Sequence, residues 1–303
     1  MRWEKLGPVY APSGDQWWAR AYAHLPTALL LRDGRVRVYF AGLDENRFGR
    51  IGYVDVAAAD PTRVLEVGPE PVLDLGQIGR FDDCGVVPSA VLGGPAGVRL
   101  YYHGFQRTER VPYLIFAGLA EASGPDERFA KRSRVPLLER TDDEPFIRGA
   151  PCVLPEGGAY RMWYVACTHW STTASRLHYN IRLCHATSAD GITWKPDAGP
   201  CLEPAGPDEY AIGRPAVARL RDGYRLWYSS RGHADLYAIR HAVSADGRHW
   251  ERDPGGGLER SPSGWDSEMT CYANVLEVNG RWLMFYNGNG HGRSGFGVAA
   301  LVD

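Results

Sequence analysis

Short apolar runs that close on paired aromatics recur along the chain: RVYF (37–40), RLYY (99–102), RMWY (161–164), RLWY (225–228) and WLMFY (282–286). Aligning Tyr39, Tyr101, Trp163, Trp227 and Phe285 gives steps of 62, 62, 64 and 58 residues. A fixed period of this kind marks a repeat architecture. Each run follows a second apolar segment: LPTALLL, VVPSAVL, APCVLP, GRPAVARL or CYANVLEV. Between the two lie Arg-Asp-Gly (32–34, 221–223), Gly-Gly (93–94, 157–158) or Asn-Gly (279–280), the turn chemistry of a β-hairpin. Four of the leading segments carry a proline at the matching place, Pro26, Pro88, Pro151 and Pro215, with Ala273 in the fifth. Proline suits the first residue of a strand, so these positions are expected to be strand starts.

A third strand follows the aromatic one. It is clearest in CHATSADGITW (184–194) and RHAVSADGRHW (240–250). Ser-x-Asp-Gly makes the turn, and Trp194 or Trp250 begins a fourth strand. The sequence therefore predicts an all-β, five-bladed β-propeller with four antiparallel strands per blade, a single domain over 1–303. The last unit ends after its third strand, and RWEKLGPVY near the start has no unit of its own. That N-terminal strand is expected to close the ring and leave no open edge.

Composition narrows the function classes. Hydrophobic residues are 44% and charged residues 23%, as in a folded globular protein. A net charge of −2 gives no basic footprint for nucleic acid. No apolar run reaches the roughly 18 residues of a membrane span, and no signal peptide opens the chain, so a cytoplasmic location is expected. The six cysteines are scattered without a C-x-x-C pair and are expected to be small apolar residues, four or five of them in strands. Ten tryptophans and sixteen tyrosines suit packing between blades as well as stacking on sugar rings.

Propeller geometry brings strand starts and second-strand ends to one face. His24, Asp82, Asp83, Arg148, Arg214, Glu268 and Tyr272 are expected there from the first strands. His103, His169, Arg231 and Asn287 are expected from the second strands, with His178, Tyr179, Tyr237 and His291 from the loops. The bland alternatives are a turn for Asp82-Asp83, struts for Arg148 and Arg214, and repeat residues for His185 and His241. The loops at 104–112 and 168–180 are expected to shape the rim.

The repeated S-x-D-G-x-x-W, the aromatic second strands and WDSEMTCYANVLEVNGRWLMFYNGNGHGRSGFG (265–297) resemble the five-bladed propeller glycosidases. That group includes arabinanases, β-xylosidases, fructosidases and β-mannoside phosphorylases; the last unit looks like a short intracellular subgroup. The resemblance implies three acidic residues from separate blades. Here His24 stands where a general-base aspartate is expected, Arg148 and Arg214 take the axial places of blades three and four, and only Asp83 and Glu268 fit acidic roles. Inward arginines suit an anionic substrate.

The leading expectation is a metal-dependent mutase of a nucleotide-diphosphate sugar. Its Mn²⁺ or Mg²⁺ is held by Asp83, His103 and Glu268, with no flavin or nicotinamide. Its acid–base groups are Glu268 or His103 and Asp83 or His178. His24, Arg148, Arg214, Arg231, Tyr237, Tyr272 and Asn287 bind substrate. The alternatives are a glycoside hydrolase or phosphorylase, and a catalytically inactive sugar-binding propeller.

Overall fold

Among the described residues the chain forms twenty strands and one four-residue helical turn. The computed structural model describes residues 1–173, 176–206, 208–233 and 236–302. The strands are β1 (Trp3–Tyr10), β2 (Ala21–Leu30), β3 (Arg35–Leu43), β4 (Gly49–Ala57), β5 (Val64–Val67), β6 (Gly85–Gly94) and β7 (Gly97–Arg107). They continue as β8 (Tyr113–Ala122), β9 (Ala130–Lys131), β10 (Ile147–Glu156), β11 (Ala159–Thr173), β12 (Arg176–Ser188) and β13 (Lys195–Pro196). The remainder are β14 (Glu209–Leu220), β15 (Gly223–Gly232), β16 (Ala238–Ser244), β17 (Glu251–Leu258), β18 (Cys271–Val278), β19 (Arg281–Asn287) and β20 (Phe296–Leu301). The helical turn α1 (Asn289–Gly292) precedes β20. The all-β expectation therefore holds.

Antiparallel neighbours run β2-β3-β4-β5, β6-β7-β8-β9, β10-β11-β12-β13 and β14-β15-β16-β17. Single parallel pairs, Gly49–Gly85, Arg148–Phe116 and Ile181–Ala211, join these groups into one sheet. A second sheet is ordered β1-β20-β19-β18, so the N-terminal strand pairs with the last strand. Neither sheet closes on itself. No helix among the described residues is long and apolar enough to cross a membrane. All six cysteines are free, and Cys152, Cys167, Cys184 and Cys271 lie in strands.

The aromatics of β3, β7, β11, β15 and β19 form the core. Tyr39, Phe40, Tyr101, Tyr102, Trp163, Tyr164, Trp227, Tyr228, Phe285 and Tyr286 are all buried. Burying one such side chain stabilises the fold by about 1.5–3 kcal/mol. Their neighbours come from adjacent groups: Tyr101 packs beside Trp194, and Trp227 meets Trp3 edge-on at 5.6 Å.

The Ser-x-Asp-Gly turn is a clip between groups. Ser188 Oγ and Asp190 Oδ1 accept the turn's own amides. The turn's outward carbonyls are then taken by the preceding group: Tyr101 Oη donates to Gly191 O at 2.9 Å and Arg99 to Asp190 O at 2.7 Å. The next copy repeats this, with Trp163 Nε1 donating to Gly247 O at 2.7 Å and Arg161 to Asp246 O at 2.8 Å.

A second repeated device joins an acid, a tyrosine and a cation. Asp82 accepts from Tyr102 at 2.8 Å and pairs with Lys131 at 2.6 Å. Glu144 holds Tyr164 and Arg148, Glu209 pairs with Arg252 beside Tyr228, and Asp266 holds Tyr286 and Lys5. Carboxylates ahead of the inner strands are thus consumed in packing.

The prolines do not start strands. Pro26, Pro88, Pro151 and Pro215 sit inside β2, β6, β10 and β14, where the pairing register shifts. The bulge leaves Pro26, Pro151 and Pro215 out of the ladder, so their missing N–H costs nothing there, while Pro88 faces Tyr102 at the edge of its bulge. The residue before the bulge position takes a left-handed backbone in four strands: Leu25 (φ 52°), Ala150 (φ 52°), Arg214 (φ 41°) and Tyr272 (φ 58°). Such conformations cost of order 1–3 kcal/mol and gather at functional sites. Here they turn side chains toward a shared cavity.

Candidate functional site

A cavity of about 670 Å³ opens where the bulged strands converge. Its cationic and imidazole lining is Arg47, Arg107, Arg214 and Arg231 with His24, His103 and His291. Tyr22, Phe105, Tyr113, Tyr179, Tyr237 and Tyr272 supply its aromatic walls. No Asp or Glu lines it among the described residues.

Arg231, on β15, sits among three tyrosine rings, 5.1 Å from Tyr237, 5.6 Å from Tyr210 and 6.0 Å from Tyr179. It donates to Tyr179 Oη at 2.9 Å, and the Tyr179 and Tyr237 hydroxyls are 2.8 Å apart. Burial pushes the Tyr237 and Tyr272 phenols well above their usual range. Arg214, on β14, donates to Pro88 O at 3.0 Å, Pro26 O at 3.3 Å and Thr27 Oγ1 at 2.9 Å. Burial draws its pKa down to about 10, so it stays cationic at neutral pH. His103 stacks on Phe105, and burial followed by repulsion from Arg214 lowers its pKa to about 3. His24 lies against Tyr22 with the rings tilted by 34°, and is lowered to about 3 by burial and by the charges of His291 and Arg47. His291 reaches the cavity through the left-handed turn in α1, φ 60°.

His24, His103, Tyr179, Arg214, Arg231, Tyr237, Tyr272 and His291 thus come together as grouped from the sequence. The others fall elsewhere. Arg148 leaves the cavity because Glu144 and the Tyr164 hydroxyl claim its guanidinium; it is a strut. Asn287 ties strands, donating to Ala23 O and Gly295 O and accepting from Leu25 N. Asp83 caps the turn at Gly79, whose amide it accepts at 2.8 Å. Glu268 is exposed, its backbone amide held by Asn289. His178 packs against Tyr210 and His233, at ring distances of 4.8 Å each, away from the cavity lining. The stretch 168–180 is mainly the β11–β12 hairpin, with Ala174 and Ser175 outside the described residues.

The expected metal ligands do not fit a site. Asp83, His103 and Glu268 are not brought together, and no group of three His, Cys, Asp or Glu side chains that could hold an ion occurs among the described residues. Sequence reasoning missed Arg47, Tyr22 and Tyr113, and reached Arg107 only as part of the 104–112 stretch expected at the rim.

No family model matches the chain. The uncharacterized proteins MT1551 and Rv1502 of two Mycobacterium tuberculosis strains are each 36% identical to it over 306 residues, covering all of both chains. The chain belongs to their family.

Solved structures share its fold. A glycosyl hydrolase from Bacteroides ovatus superposes with a TM-score of 0.74 at 16% identity, covering 99% of this chain and 93% of that one. A structure from the GH130 family of mannoside phosphorylases, described as containing glycoside hydrolases that target β-1,2 mannosidic linkages in Candida mannan, gives 0.72 at 16%, over 99% and 93%. A thermostable family-43 glycoside hydrolase gives 0.69 at 15%, over 92% and 88%. The fold is that of propeller-like glycoside hydrolases.

Proposed function

We propose that this protein is a carbohydrate-active enzyme that cleaves a glycosidic bond by phosphorolysis in the central cavity. The observation that carries the reading is a cavity lined by four arginines and three histidines, with no carboxylate among its described residues, in a glycoside-hydrolase-like fold. Ordinary hydrolysis needs one carboxyl group as acid and another as base or nucleophile. Phosphate is itself an anionic nucleophile and needs no carboxylate base to activate water. The nucleotide-sugar mutase has no comparable support, since its expected carboxylates Asp83 and Glu268 lie outside the cavity lining.

In this reading the strand groups β2–β5, β6–β9, β10–β13, β14–β17 and β18–β20 with β1 are five blades around the cavity. The sugar lies against the tyrosine walls. A phosphate oxygen forms a bond to the anomeric carbon as the bond from that carbon to the leaving oxygen breaks. Tyr179, held by Arg231 and Tyr237, gives its proton to the leaving oxygen. The proton of phosphate monoanion then restores the phenol, and the products are a sugar phosphate and a free alcohol.

The test is turnover of aryl glycosides with and without inorganic phosphate, together with phosphate release from hexose 1-phosphates and an acceptor sugar. Phosphate-dependent cleavage is expected, with kcat of Tyr179→Phe lowered about 10²–10⁴-fold. Equal cleavage without phosphate would make the protein a hydrolase. Sugar binding without turnover in either direction would favour a binding protein.

A further inference from the structure

We propose that Arg214, His103 and His24 form a buried subsite for a phosphate-type oxyanion at the floor of the cavity. The ligand is inorganic phosphate or the phosphate of a sugar ester. The proposal deepens the phosphorolysis reading and rests on it for the role of phosphate as nucleophile.

Arg214 is a cation only 2% exposed. Its three hydrogen bonds go to two carbonyls and a hydroxyl, all neutral. It makes no ion pair with a carboxylate among the described residues. Its Nε–H is buried and has no acceptor. A buried charge without a counter-ion is strongly unfavourable, and a group left so exposed to low dielectric is stabilised most by a ligand of opposite sign. The strained backbone at Arg214 keeps the side chain there in spite of that cost.

Two imidazoles complete the site. The Nε2 atoms of His103 and His24 are buried and likewise lack partners. Aromatic neighbours hold both rings, His103 stacked on Phe105 at 6.3 Å and His24 tilted by 34° against Tyr22 at 4.7 Å. Arg214 Nε–H is a fixed cationic donor, and the two neutral imidazoles add a second and a third donor in the tautomer with its proton on Nε2, so the three residues suit the several acceptor oxygens of phosphate. Arg47 and Arg107 line the same cavity from the β3–β4 turn and the end of β7, and would draw an anion inward.

Isothermal titration calorimetry of the purified chain tests this, with inorganic phosphate, a hexose 1-phosphate, a hexuronate and the neutral hexose as separate ligands. Phosphate is expected to bind, and Arg214→Met to weaken it at least about tenfold, the scale of one lost charge-assisted contact. His103→Gln is expected to weaken it about threefold or more. Arg219→Met, an exposed arginine, serves as control and leaves binding unchanged.

Because Arg214 also ties β14 to β2 and β6, circular dichroism accompanies each variant. If Arg214→Met does not fold, His103→Gln carries the test. Tighter binding of the hexose 1-phosphate than of phosphate would assign the site to a sugar ester, and the reverse to the free ion. No phosphate binding by the wild type overturns the proposal. So does binding that both variants leave intact, or a preference for the hexuronate over both phosphates. Arg214-dependent phosphate binding without any phosphorolysis leaves the subsite standing and removes the phosphorolysis reading. Phosphorolysis with unchanged phosphate binding in both variants does the opposite.

Discussion

His103 and His24 are buried against arginines and held neutral, which makes stability depend on pH in a definite direction. Each has a folded-state pKa near 3, far below the ordinary histidine value of 6.5. The unfolded chain therefore binds protons below pH 6.5 that the folded chain does not. The stabilising contribution is fully present above 6.5 and is lost as pH falls toward 3. For His103, faced by Arg214 and stacked on Phe105, the limiting slope is about 1.4 kcal/mol per pH unit. Urea denaturation from pH 7 to pH 5 should show stability falling with pH in the wild type, and falling less steeply in His103→Gln, by up to this single-site slope. Equal slopes would mean that the imidazole is protonated in the folded state. A bound phosphate should also flatten the slope, because an anion beside His103 favours its charged form.

Strand-scale behaviour turns on the Ser-x-Asp-Gly clip. Gly191 and Gly247 have φ of 75° and 73°, and a Cβ on either would press on the preceding group. At Gly191 it would lie 2.8 Å from the Tyr101 hydroxyl, and at Gly247 3.0 Å from Trp163. Gly191→Ala and Gly247→Ala are each expected to lower stability by about 1–2 kcal/mol, from the backbone alone, before any contact shifts. Tyr101→Phe, which removes one hydrogen bond to Gly191 O, should cost about 1 kcal/mol. Thermal melts of the three variants decide it, and an unchanged Tm in all of them would remove the clip from the account of how the groups hold together.

This motif was legible because its two copies are nearly identical, and so were the aromatic strands, because their period is regular. The bulges were not. Proline looks the same at a strand start and at a bulge, and only the ladder register separates the two. The same blind spot moved the acids. Asp82, Glu144, Glu209 and Asp266 recur at or just before the starts of β6, β10, β14 and β18, as axial carboxylates would, yet Lys131, Arg148, Arg252 and Lys5, with neighbouring tyrosines, draw them away. Arg148 and Arg214 occupy equivalent-looking places; Glu144, four residues before Arg148, captures one, and no acid lies so near the other.

Across the whole molecule, charge is sorted by place. The chain is slightly acidic, yet the cavity carries four arginines without a lining acid among its described residues, so its potential is set by burial of cations rather than by net charge. The opposite arrangement holds where the chain's two ends meet. There β1 pairs with β20, Trp3 packs on Trp227, and Lys5 reaches Asp266 at 2.6 Å, with Asp266 almost wholly buried. Its carboxyl lies below the usual range: burial opposes ionisation, but donors from Lys5, Ser261 and Tyr286 outweigh it. Lys5→Met should therefore cost about 2–3 kcal/mol by leaving that charge with only neutral donors. A strand that merely decorated the surface would lose nothing on removal. Deleting residues 1–10 removes the ion pair, the Trp3 contact and the partner of β20 together, and leaves an unpaired edge. The truncated protein is expected to melt at lower temperature than Lys5→Met and to self-associate, as read by light scattering after size-exclusion chromatography. A truncation that stayed monomeric, with the Tm of Lys5→Met, would show that the ion pair rather than the strand pairing fastens the two ends.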